Sequence, residues 1–151
     1  MSNIDRAHLA RALMTHVKNN DVAQVEKCLK SGVAQRWRDV IVTDLELRSL
    51  GESTLRGCAV VGALLQCGVE TLSPLHLAAL LKRDDVIVTF IDRDVSVDAA
   101  LRGGSTCLHM ACFGGHLTTA KLLIDVYHAD VTKTDGLAGN AHCQSIVICA
   151  M

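Results

Sequence analysis

Cys107-Leu108-His109-Met110-Ala111-Cys112 sets two thiols and an imidazole within six residues. Such a group could give zinc three ligands, with His142 or Cys143 as a fourth, because Zn²⁺ takes cysteine sulfur and histidine nitrogen in a tetrahedral site. The paired C-x-x-C spacing of structural zinc sites is missing, however. Cysteines near histidines also raise the question of thiol catalysis, which requires a thiol acidified by a nearby cation or helix N-terminus. Asp84-Asp85 resembles a carboxylate pair, yet two adjacent acids at a helix start are more simply a cap favoured by the helix dipole. The chain has no G-x-S-x-G elbow, Walker loop or H-E-x-x-H. No catalytic residue, cofactor or metal is expected.

Composition narrows the partner classes. The formal net charge is −1, so nothing favours nucleic acid or an anionic membrane, whose phosphates require a basic excess on some face. The longest mostly apolar run, Cys58 to Cys67, is far too short to span a bilayer. Seven cysteines, an odd number, and an N-terminus without an apolar h-region (Asp5, Arg6, His8, Arg11) suit thiols in a reducing compartment. An intracellular protein, cytoplasmic or nuclear, is expected. Half the residues are hydrophobic but only four are Phe, Trp or Tyr, which fits thin, closely stacked helices better than a core of large rings.

The elements that would position these side chains follow from periodicity. Leu9, Ala12, Leu13 and Val17 predict a helix from Ile4 to about Lys18. Asn19-Asn20-Asp21 breaks it, Asp21 caps a second helix bearing Val22, Val25, Cys28 and Leu29, and Gly32 ends that helix. Farther on, Ser73-Pro74-Leu75-His76-Leu77-Ala78 and Thr106-Cys107-Leu108-His109-Met110-Ala111 repeat one pattern at a spacing of 33 residues. In each, a hydroxyl residue caps a helix, and Pro74 suits a first turn, where its missing N–H costs nothing. Each is followed by a second apolar helix: Val86, Ile87, Phe90 and Ile91, capped by Asp84 or Asp85, then Ala120, Leu122, Leu123 and Ile124.

The 33-residue T-P-L-H-x-A pattern from about Thr71 to Asp135 resembles the ankyrin repeat family. Gly114-Gly115-His116 is similar to the family's Gly-His turn. Asp125 to Val131 is similar to its Gly-Ala-Asp-Val exit, with His128 in place of Gly and one residue inserted. Asp94 stands where the family favours Gly. The resemblance implies an all-α solenoid of stacked helix-turn-helix units joined by hairpin-like loops, in a single domain over 1–151. About four units are expected: an N-terminal capping repeat at 1–35, an irregular repeat at 36–70, repeats at 71–100 and 101–134, and a partial repeat or cap at 135–151. Gly51 to Ala59 is a worn copy of the motif that places the irregular unit.

The resemblance also assigns the reactive residues. Cys107 replaces the motif Pro, His109 is the structural His that ties neighbouring loops, and Cys112 replaces a packed Ala, so the zinc reading loses its ligands. Function then falls to a surface. The family's hairpin tips and first helices line a concave groove that binds proteins. On this chain the tips are Val69, Glu70 and Leu72 in one repeat and Leu101, Arg102, Gly103 and Ser105 in the next. Leu80, Leu81 and Phe113, at the ends of the first helices, are the expected apolar anchors. A monomeric adaptor or inhibitor docking on a protein partner is expected. The alternative is a truncated or spliced fragment of a larger ankyrin-containing enzyme or channel.

Overall fold

The computed structural model describes residues 3–30, 42–43, 71–101 and 104–133. Ser73 and Thr106 are extended, at φ −102°, ψ 160° and φ −102°, ψ 174°, and each starts a helix of seven residues: α3, Pro74–Leu80, and α5, Cys107–Phe113. The Ser73 hydroxyl accepts from the His76 amide, which would otherwise lack a partner at a helix start. Before them lie α1, Asn3–Lys18, and α2, Val22–Lys30, with Gln24 N–H reaching Asp21 Oδ1 at 3.3 Å as the cap residue requires. Helix α4, Asp84–Ile91, follows α3, and α6, Leu117–Lys121, follows α5. The first residue beyond Arg83 is already helical, so Asp84 and Asp85 sit in the first turn of α4 and neither is its cap, contrary to the sequence expectation.

One turn recurs inside each pair. A residue with positive φ follows the first helix (Asn20 at 57°, Lys82 at 57°, Gly115 at 73°). The next amide bonds back to a carbonyl five residues earlier: Asp21 to His16, Arg83 to Ala78 and His116 to Ala111, at 2.8–2.9 Å. This is the Schellman way of satisfying terminal carbonyls, for which Gly is the usual residue. Only the third turn has Gly there; Lys82 adopts the conformation against its Cβ.

Helix α6 runs on as a wider π-helical segment, Leu122–Val126. A π turn holds one residue more than an α turn over the same length. Here it absorbs the residue inserted before the exit: Lys82 and Gly115 are in 33-residue register, whereas the left-handed exits Asp94 (φ 63°) and His128 (φ 55°) are one residue farther apart. Val95 and Ala129 are buried just after those exits, so the two units realign.

Helices α1, α3 and α5 pack side by side in an inner row, and α2 lies against α4 outside it. The core runs continuously through Leu13, Met14 and Val17, Leu75 and Leu77, Ile87 and Phe90, and Met110 and Leu123. Three helix pairs are therefore described, stacked in chain order. Helix α1 packs directly on α3, and the irregular unit expected at 36–70 lies outside the described residues except for Val42 and Thr43. Those two form β1, paired antiparallel with β2, Thr71–Leu72, in the register Val42 to Leu72 and Thr43 to Thr71. In the next unit Leu101 N–H bonds Ser105 carbonyl at 2.9 Å across a tip of three residues. Leu72 and Ser105 are in 33-residue register, so Val42 fills the place that Leu101 fills there. The expected cap at 135–151 also lies outside the described residues.

Candidate partner-binding surface

Every side chain of α3 is buried, and so is every side chain of α5 except that of Phe113. Helices this short, flanked by a neighbour and backed by a second helix, have almost no outward face. The expected anchor Leu80 is fully buried as a result, and Leu72, Leu101 and Ser105 are at most 5% exposed. These four are corrected from surface to interior. Leu72 lies in the β pairing, and the Leu101 and Ser105 backbones close their hairpin. Leu81 and Phe113 keep part of their surface while leaning on the core. Val69, Glu70, Arg102 and Gly103 lie outside the described residues. Among the ten expected positions, the structure therefore presents Leu81 and Phe113 at the ends of adjacent inner helices.

The motif histidines are committed to structure. His76 Nε2 lies 3.0 Å from Ala99 carbonyl and 3.1 Å from Ser105 carbonyl, so it carries the proton and donates across the following hairpin. Its Nδ1 then accepts from the Ser73 hydroxyl. Burial pushes the His76 pKa down to about 4, although the two carbonyls favour the charged ring. The ring is neutral at pH 7. Thr106 N–H donates to His109 Nδ1 at 3.1 Å, with Thr106 Oγ1 at 2.8 Å, so that nitrogen is occupied by the helix cap. Cys107 is fully buried, and desolvation raises its pKa far above that of an ordinary thiol, the opposite of what a nucleophile or metal ligand requires. Among the described residues, no group of three or more His, Cys, Asp or Glu could hold a metal ion, and no helix is long and apolar enough to cross a membrane.

Polar side chains also join the units. Arg83 Nε and Nη2 donate to Lys18 carbonyl at 3.1 and 2.8 Å, tying the second pair to the first. In register with it, His116 Nε2 lies 2.8 Å from Leu80 carbonyl and ties the third pair to the second. Thr119 Oγ1 donates to Asp84 Oδ1 at 2.6 Å, and Asp130 N–H donates to Asp98 Oδ1 at 2.9 Å. The role of Arg83 was not anticipated from sequence, though its 33-residue register with His116 was a usable signal. Leu117, Val126 and Val131 are the large hydrophobic side chains exposed among the described residues, at 40–57%, and they too were missed.

A family model of ankyrin repeats in three copies matches residues 13–135. The chain belongs to the ankyrin repeat family. No solved structure matches it. Ankyrin repeats generally mediate protein–protein interaction and are typically non-enzymatic modules, and an all-α ankyrin solenoid is the architecture of this chain.

Proposed function

We propose that this protein is a non-enzymatic adaptor or inhibitor that acts in the cytoplasm or nucleus, as a monomer, by docking a protein partner on its concave side. The docking surface comprises the half-exposed ends of the inner helices, Leu81 and Phe113, and the loop tips that carry Val69, Glu70, Arg102 and Gly103. One observation carries this reading. In the described repeats His76, His109, His116, Arg83 and Cys107 are occupied by caps, inter-unit bonds or burial. That leaves surface as the working part of the molecule. Proximity labelling with the full chain, followed by binding measurements on the recovered protein, tests the proposal. Phe113→Ala with Arg102→Ala is expected to weaken binding at least about tenfold, the size of a lost anchor, with the urea midpoint little changed. Binding unaffected by both changes would overturn it.

A further inference from the structure

The two inter-unit joints are built differently, and the difference lies two residues ahead of each donor. At the third pair the donor is His116 and the residue before the left-handed turn is Gly114. A Cβ on Gly114 would lie 2.7 Å from His116 Cδ2 and Nε2 and 2.8 Å from Leu80 carbonyl oxygen. The imidazole lies across this glycine and reaches the neighbouring carbonyl only because no side chain is there. At the second pair Leu81 occupies the glycine's place, half-buried against the core, and the donor is Arg83. A side chain at 81 closes the short route that the imidazole uses at 116. The longer guanidinium spans the remaining gap, with two nitrogens on one carbonyl.

We infer that Leu81 and Arg83 are a matched spacer and latch that fasten the first helix pair to the stack. Between them stands Lys82, held at φ 57° with a Cβ, whereas Gly115 carries the equivalent turn in the third pair. That conformation is maintained by the Arg83 N–H to Ala78 carbonyl bond at 2.8 Å and aims the guanidinium at the neighbouring unit. The latch therefore sets how readily α1 and α2 open as a body while α3 to α6 stay closed, a local opening of the kind that amide exchange resolves.

Hydrogen exchange of the full chain, read by peptide, tests this with Arg83→Ala, Arg83→His and the pair Leu81→Gly with Arg83→His. Both single changes are expected to speed exchange in residues 13–30 about tenfold or more, the effect of losing a part-buried charge-assisted bond, while residues 107–123 keep their protection. The double change recreates the Gly114–His116 arrangement and is expected to restore at least half of the lost protection on a logarithmic scale. Wild-type protection in Arg83→His, or no recovery in a folded double variant, would overturn the inference. If the double variant loses protection throughout, the single changes decide: loss confined to residues 13–30 supports the latch, and uniform loss or none refutes it.

Discussion

His76 shows how far one side chain can be committed. Its two nitrogens join a helix cap to the hairpin beyond, and burial keeps the ring neutral. The folded pKa of about 4 lies below the ordinary 6.5, so the unfolded chain binds a proton first on acidification. The contribution is complete above about pH 6.5, declines as pH falls toward 4, and is exhausted below that; its size is on the order of 3 kcal/mol. Urea midpoints from pH 8 to 4 should fall through that window, with a shallower fall in His76→Gln. Equal slopes in the two proteins would remove His76 from this account. The histidine's role was legible in the sequence because the motif fixes its place in the helix. The exposure of Leu80 was not, because it depends on the unit that stacks above it. Leu80 and Phe113 occupy the same position, yet one is sealed and the other half-open.

At the scale of elements, backbone conformation gives the clearest tests. Gly114 is required by close approach, since the oxygen that an added Cβ would strike belongs to the Leu80 backbone and cannot swing aside. Gly114→Ala should cost about 2 kcal/mol in urea unfolding, the range for an overpacked site. Lys82→Gly should instead stabilise by up to about 1 kcal/mol, because it relieves a left-handed side chain. The same denaturation assay ranks both against the parent, and a reversed order would contradict the geometry. The π segment at Leu122–Val126 was half-legible. The extra residue could be counted against the repeat, but its location depends on which turn of the helix can widen without moving Ala120 or Leu123 out of the core. Deleting exposed Val126 should restore an ordinary turn and leave stability within about 1 kcal/mol, as for most surface changes.

For the whole molecule, the joint between the first two described pairs is the part least legible in the sequence. The worn motif from Gly51 to Ala59 carries Arg56 and Gly57 where the best copy has His109 and Met110, and the unit expected around it lies outside the described residues. The contacts at that joint are non-local: α1 against α3, Arg83 on the Lys18 carbonyl, and Val42 opposite Leu72. Of these contacts only that of Arg83 left a signal in the spacing, through its register with His116. Among the described residues the stack consists of three directly joined pairs, with His76, Arg83 and His116 serving the joints. The most direct test replaces residues 44–70 with Asn-Gly, a dipeptide suited to a tight hairpin, and follows urea unfolding by circular dichroism. The account predicts one cooperative transition and full hydrogen-exchange protection in α1 and α3. Loss of the cooperative transition, or of protection in α1 alone, would contradict direct stacking of the first pair on the second.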